Sequence, residues 1–229
     1  MGKALHAYDM IKDGDRIAVG LSGGKDSWAL IWLLAERLPR VPVNYALFPI
    51  HIDLGFGGEG AHRIENYART MGWPIRIERT DIGLVAHSDA NRENPCFLCA
   101  RRRRQLLFEM ADDLGCNKIA LGHNKDDIVE TFFLNMFYAG EMSTMQPRQP
   151  FFQGRLTVIR PLAYTDEVDV QRFSKQMDWP IVENPCPSAG NSKRAVVKAM
   201  LERLCKSNDK IKGNIFRAMR NIKAEYQLR

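Results

Sequence analysis

The sequence predicts an α/β fold: a parallel sheet flanked by helices, followed by a helical C-terminal extension. Three observations carry this prediction. An apolar run, Arg16-Ile17-Ala18-Val19-Gly20-Leu21, feeds a glycine-rich turn, and a long apolar helical stretch over residues 28–38 leaves it. The order recurs where Lys118-Ile119-Ala120-Leu121 leads through Gly122-His123-Asn124-Lys125-Asp126-Asp127 into an amphipathic-to-apolar helix over 128–138. Between the two, strand and helix patterns alternate, and strands joined through helices pair in parallel with right-handed crossovers. Ligands of such sheets gather beyond the carboxyl ends of the strands, so the loops after Leu21, Ile52 and Leu121 are expected to face one pocket.

Each element follows from local chemistry. Residues 1–15 read as a short lead-in helix ending at the turn signal Asp13-Gly14-Asp15. Pro39 and Pro42 punctuate the exit from the 28–38 helix, and residues 44–52 read as a buried strand interrupted late by Pro49. A glycine-rich loop, Asp53-Leu54-Gly55-Phe56-Gly57-Gly58, precedes a helix over 59–71 and a short strand over 75–78. Residues 140–157 read as a loop, because Gly140, Pro147, Pro150 and Gly154 break any periodicity. A strand follows over 156–162, then a helix over 168–177 introduced by Thr165 and Glu167, then a rigid extended segment over 179–187. From Ser192 onward the tail is helical and basic, with Arg194, Lys198, Arg203, Lys206, Lys210 and Lys212 spread along it.

The turn Gly20-Leu21-Ser22-Gly23-Gly24-Lys25-Asp26-Ser27 reads as a phosphate cradle. Adjacent glycines let the backbone approach a ligand, and the N–H groups opening the next helix favour an anion. Lys25 adds a mobile positive charge, and Ser22 and Ser27 add hydroxyl donors. In the second turn, Asp126 is expected to cap its helix, whereas Asp127 is favoured for ligand or metal work, a magnesium ion wanting one or two carboxylates beside phosphate oxygens.

Cys96 and Cys99 stand two residues apart after Pro95, a spacing at which both thiolates can bind one metal centre, and Cys186 is a third candidate between Pro185 and Pro187. Structural zinc would want a fourth ligand that no second C-x-x-C or H-x-x-x-H supplies. Three thiolates fit a 4Fe-4S cluster with one iron left open, although a thioredoxin-type redox pair is also consistent with Cys96 and Cys99 alone. Cys116 and Cys205 read as structural thiols. Arg101 to Arg104 point in all directions around a helix that starts there and runs to Leu114, so most form a solvated face and one is available to a phosphate.

With 229 residues, 45% hydrophobic and 26% charged, the chain suits one to one and a half soluble domains. A formal charge of +6 permits a polyanionic partner. The longest apolar run is too short to span a bilayer and no secretory segment follows Met1, so no membrane association and a cytoplasmic location are expected. Five cysteines without a leader argue against a disulfide framework.

Ser22-Gly23-Gly24-Lys25-Asp26-Ser27 resembles the PP-loop, S-G-G-x-D-S, of enzymes that split ATP into AMP and pyrophosphate. Together with Cys96-x-x-Cys99, the Gly122 to Asp127 turn with its continuation Glu130 to Tyr138, Arg160-Pro161-Leu162 and Cys186, it resembles the TtcA family of tRNA 2-thiocytidine synthetases over residues 14–204. That resemblance implies an adenine-nucleotide alpha hydrolase-like fold, with a PP-loop ATP-binding domain over 1–190 carrying the cysteine site and a basic extension over 191–229. It implies thiolation of cytidine 32 of tRNA, with adenylation of the base followed by sulfur transfer. The implied cofactors are ATP, Mg²⁺ and a 4Fe-4S cluster on Cys96, Cys99 and Cys186. Leu21 to Ser27, Asp53, Gly122 and Asp127 would bind nucleotide, and Lys25, Asp26, Asp127 and Arg103 would act in catalysis. Implied partners are tRNA, a sulfur donor such as a cysteine desulfurase or free sulfide, and a second copy in a homodimer. Another tRNA base, a small-molecule substrate, or an ATP-binding iron–sulfur protein without turnover are the alternatives.

Overall fold

The computed structural model describes residues 1–183, 186–188, 190, 192–223 and 225. By backbone packing the chain divides into two units, residues 1–124 with 146–189, and residues 125–145 with 190–229.

The first unit is built on six strands: β1 (Asp15–Gly20), β2 (Tyr45–Asp53), β3 (Arg76–Arg79), β4 (Lys118–Ala120), β5 (Arg148–Phe151) and β6 (Leu156–Ile159). They lie in the order β3-β2-β1-β4-β6-β5, parallel except for β5, which runs antiparallel to β6. Its helices are α1 (Gly2–Ala7), α2 (Lys25–Arg37), α3 (Gly60–Thr70), α4 (Ile82–Ala86), α5 (Pro95–Asp113) and, after one further helix elsewhere, α7 (Glu167–Met177). Strand alternation divides the core. Ile17 and Val19 of β1 face Leu30, Ile31 and Leu34 of α2, Ile64 of α3 and Val170 of α7, while Ala18 joins Met110 and Ala111 of α5. Fully burying a side chain such as Leu30 or Ile31 contributes roughly 1.5–3 kcal/mol, so α2 is held chiefly by its inner face rather than by propensity.

Five local expectations change in this unit. The lead-in helix ends at Ala7, not at the Asp13-Gly14-Asp15 turn, and β1 already begins at Asp15. Pro49 does not interrupt β2: it pairs with Val19 in the β1 register, and the ladder to β3 begins one residue later at Ile50. Residues 140–157 are not all loop, since β5 occupies Arg148–Phe151; Pro150 is accommodated because β5 is the sheet edge and needs no second partner. The helix after the C-x-x-C begins at Pro95 rather than at the arginines. Asn94 caps it, its Oδ1 accepting from the N–H groups of Cys96 and Phe97 at 3.0 and 3.3 Å, with Pro95 in the first turn where no amide proton is missed. The helix after the first turn opens at Lys25, placing Asp26 and Ser27 inside it.

The second unit comprises α6 (Lys125–Tyr138), α8 (Lys193–Ser207) and α9 (Lys210–Ala218). Val129, Val197 and Leu201 form its buried centre, with Phe133, Leu134, Ile215 and Phe216 packed around them. This apolar face of α6 is why residues 125–145 group with the C-terminal helices rather than with the sheet residues of the 1–190 span. Asp126 is not the helix cap: it lies in the first turn and pairs with Lys212. The tail is two helices, parted at Asn208 and Asp209. Among the described residues no helix is long and apolar enough to cross a membrane.

Candidate active site

The turn between β1 and α2 is a closed hydrogen-bonded ring. Ser27 Oγ donates to the Gly24 carbonyl at 2.8 Å and accepts from the Ser22 amide at 3.2 Å, while the two serine hydroxyls stand 3.2 Å apart. Gly23 has φ of +83°, and a Cβ there would lie 2.7 Å from Ile64 and 3.1 Å from Val182. This turn therefore needs glycine twice over, for its dihedral and for the close approach of its neighbours. Beneath it, buried His51 holds the Leu21 carbonyl through Nδ1 at 2.8 Å; burial lowers its pKa, and because a carbonyl only accepts, Nδ1 carries the proton.

The second turn closes on the first. A Cβ on Gly122 would lie 2.9 Å from the carbonyl carbon and oxygen of Asp26, and Asn124 Nδ2 donates to Asp26 Oδ1 at 2.9 Å. Lys25 Nζ lies 2.9 Å from Asp26 Oδ2 and 3.0 Å from Glu167 Oε1. Burial pulls the ammonium's pKa down, but the two carboxylates outweigh it and leave it above the usual lysine value. Gly24, Lys25 and Asp26 also open on a cavity of about 380 Å³ walled by Gln171, Ser174 and Lys175 of α7 and by Ile181. Asp53 closes its own turn, its Oδ1 accepting from the Gly55 amide at 3.0 Å. Asp127 lies in the first turn of α6, its Oδ1 3.6 Å from an Arg194 nitrogen, and the same arginine donates to Glu130 at 2.8 Å.

The three cysteines belong to the sheet unit. Cys96 lies in the first turn of α5 and Cys99 about one turn further on, on the same side, and Cys96 is exposed. Burial raises the Cys99 pKa, Arg103 opposes this, and the charges of Cys186 and Cys96 raise it again. Cys99 is thus within electrostatic reach of a thiol 87 positions along the chain and of the arginine expected to act in catalysis. Cys186 Sγ lies 3.7 Å from His87 Nε2, which also meets Ser188 Oγ at 2.9 Å, while His87 Nδ1 is fixed on the Gly83 carbonyl at 2.9 Å. Among the described residues no three His, Cys, Asp or Glu side chains are drawn together as a ready-made metal site. Cys99, which feels the charges of both Cys96 and Cys186 and has Arg103 beside it, nonetheless belongs to a set of thiols with the soft-donor chemistry an iron–sulfur cluster requires.

Two of these features are linked along the chain after α7, where the segment expected to be extended over 179–187 falls partly outside the described residues, at 184 and 185. The Val182 amide donates to the Gly23 carbonyl at 3.1 Å, and four residues of chain span at most about 14 Å, so Cys186 cannot be far from the glycine turn.

A family profile described as a PP-loop domain matches residues 2–204. The chain is 40% identical over 229 residues to a tRNA-cytidine(32) 2-sulfurtransferase from Alkalilimnicola ehrlichii, covering 98% of this chain and 72% of that protein. It is 39% identical over 236 residues to the protein of the same name from Geobacter sulfurreducens, covering 100% and 90%. The chain belongs to the TtcA family of PP-loop proteins. Among solved structures, the U34-tRNA thiolase NcsA from Methanococcus maripaludis with its 4Fe-4S cluster is similar at TM-score 0.77 and 25% identity, over 96% of this chain and 76% of that one. An NH3-dependent NAD synthetase from Campylobacter jejuni shares the fold at TM-score 0.52 and 16% identity, over 98% and 85%.

In this TtcA-family chain, several long-range contacts around the two turns and the thiols involve side chains that no local motif marks. Glu167 looks from the sequence like a helix-start acid, and nothing local announces that it reaches Lys25. His51 and His87 are lone histidines whose partners, Leu21 and Cys186, lie far along the chain. Arg160 is part of Arg160-Pro161-Leu162, but only the fold shows its guanidinium buried, donating to His123 Nδ1 at 3.3 Å and to the Gln146 carbonyl. Burial, with Arg104 nearby, lowers its pKa to about 10.

Proposed function

We propose that this protein is an ATP-dependent tRNA sulfurtransferase that replaces the C2 oxygen of cytidine 32 by sulfur. The observation that supports the reading is the Val182 to Gly23 hydrogen bond, four positions before Cys186, a thiol whose charge Cys99 feels; the glycine turn and these thiols belong to one unit. The curated relatives, similar over nearly the whole chain, bear the name of that activity.

The chemistry assigns roles to the residues. An amide-like C2–O bond leaves poorly, so the base oxygen attacks the α-phosphorus of ATP and pyrophosphate departs; a sulfur nucleophile then adds at C2 and AMP leaves with the original oxygen. Such phosphoryl chemistry needs positioning and charge neutralisation more than covalent help. Lys25 and the N–H groups of Ser22 to Ser27 receive the phosphates, and Asp26 is the carboxylate to hold Mg²⁺ against them. Asp53 and Gly122 serve the nucleoside, and Arg103, next to Cys99, neutralises a phosphate of the incoming RNA. Cys96, Cys99 and Cys186 would hold a 4Fe-4S cluster, which supplies an open iron for sulfide. A cysteine desulfurase or free sulfide is the sulfur source, a homodimer the working assembly, and the cytoplasm the location.

The likeness to a U34-tRNA thiolase favours one second reading, thiolation of a uridine. Nucleoside analysis of tRNA from cells lacking the gene separates the two: loss of 2-thiocytidine is expected, whereas an unchanged 2-thiocytidine pool with loss of 2-thiouridine would overturn the assignment. Anaerobic purification with iron and sulfide counts, repeated for Cys186→Ala, tests the metal assignment.

A further inference from the structure

Glu167 opens α7, far in sequence from the glycine turn, yet its Oε1 lies 3.0 Å from Lys25 Nζ. Asp26, on the other side of the same ammonium, is the lysine's sequence neighbour and also accepts from Asn124, so it is a fixed part of the turn. Glu167 is different. It comes from a separate helix, and the two side chains of this pair remain 26% and 19% exposed, so solvent and a competing anion can reach it. The cavity on which Lys25 opens is walled by the same helix one and two turns further on, at Gln171, Ser174 and Lys175. An anion seated at Lys25 and the Glu167 carboxylate therefore contend for one ammonium.

We propose that Glu167 is a positioning residue that competes with phosphate for Lys25 and so promotes release of the leaving pyrophosphate. The inference rests on the reading of Ser22 to Ser27 as a polyphosphate cradle. Glu167 holds the lysine toward α7. When a polyphosphate arrives, Lys25 exchanges a carboxylate for a phosphate oxygen, and when the product has lost its bond to the nucleotide, Glu167 recaptures the ammonium and lowers the residence time of pyrophosphate. A lysine suits this exchange because its charge is a compact point on a long stem rather than a planar fork.

The test is calorimetric binding of inorganic pyrophosphate to the full chain, alongside steady-state turnover. Wild type should bind pyrophosphate and Lys25→Ala should lose most of that binding. Glu167→Gln, which keeps a hydrogen-bond acceptor but removes the charge, should bind pyrophosphate about 3- to 5-fold more tightly, the range expected for loss of one partly exposed ion pair. In turnover it should show a lower KM for ATP and stronger product inhibition, with kcat reduced where release limits it. Glu167→Asp should bind like wild type, and Asp169→Asn, an acid of the same helix facing Arg172, should change nothing. Thermal melts of each variant separate binding changes from loss of fold. Unchanged or weaker pyrophosphate binding by a folded Glu167→Gln protein overturns the proposal while leaving the cradle intact. No pyrophosphate binding by the wild type would overturn the cradle reading and this one with it.

Discussion

The amide of Val182 donates to the carbonyl of Gly23 at 3.1 Å, and the Val182 side chain packs where a Gly23 side chain would stand. One residue of the glycine turn thus anchors the segment that leads to Cys186. A backbone hydrogen bond here does what no side chain could, because it fixes the segment without filling the space above the loop.

Gly23→Ala is expected to damage both features at once. The added methyl meets Ile64 at 2.7 Å, and φ of +83° is strained for any L side chain. A cost of about 1–3 kcal/mol is expected, seen as a fall in Tm of several degrees. Nucleotide affinity should drop by more than stability alone explains, and iron bound per chain should fall with it. If calorimetry showed normal ATP binding in this variant, the turn would not be the nucleotide cradle.

The thiols should differ in reactivity in the metal-free protein. Cys96 is exposed, whereas burial and its neighbours raise Cys99 and burial pushes Cys116 up to about 11. Because the thiolate is the reacting species, iodoacetamide near pH 8 should alkylate Cys96 first, Cys99 more slowly and Cys116 last, read by mass spectrometry of peptides over time. Since a cluster takes its ligands as thiolates, its binding should also weaken as pH falls. Equal rates at Cys96 and Cys99 would contradict the burial seen at the second position.

How much of this was legible beforehand differs by kind of interaction. The β1 turn, the parallel order and the C-x-x-C could be read because each is encoded within a few residues, by glycine spacing, apolar alternation or paired thiols. Even the true start of α5 was written in Asn94-Pro95, a cap followed by proline in the first turn. β5 was hidden because its pairing with β6 is supplied by the sheet edge and its own sequence carries prolines. The Glu167 to Lys25 pair spans 142 positions and the Cys186 to His87 contact spans 99. No local pattern encodes such a meeting; it exists only once the sheet has brought the segments together.

His51 offers a pH signature in the first unit. Burial holds its pKa below the usual histidine value, with the Leu21 carbonyl and Asp53 opposing the shift. A base whose folded pKa is depressed contributes stability that is present above the unfolded value near 6.5 and is lost as pH falls through the folded value. Wild type should therefore lose stability to denaturant as pH drops below about 6.5, and His51→Gln, which retains a donor for Leu21, should show a shallower loss over that range. Parallel slopes for the two proteins would show that His51 does not titrate on unfolding.

In the second unit, Arg194 donates to the Glu130 carboxylate at 2.8 Å and to Thr131 Oγ1 at 3.0 Å, with Glu130 only 8% exposed in its side chain and Arg194 41%. Burial raises the Glu130 pKa, and Arg194 is the chief influence opposing it. Removing the arginine leaves a buried carboxylate without its main counter-charge. Arg194→Ala is therefore expected to cost about 2 kcal/mol near neutral pH, less than for a fully buried pair because the guanidinium is half in solvent. The sign with pH is fixed: a carboxyl whose folded pKa is raised contributes stability below its unfolded value and loses it as pH rises through the folded value. The deficit of Arg194→Ala should thus be small near pH 5 and grow toward pH 8, measured by urea titration at each pH. Adding Glu130→Gln should remove most of that pH dependence, and a deficit that stayed constant across the range would mean that Arg194 acts through packing and Thr131 rather than through the charge of Glu130.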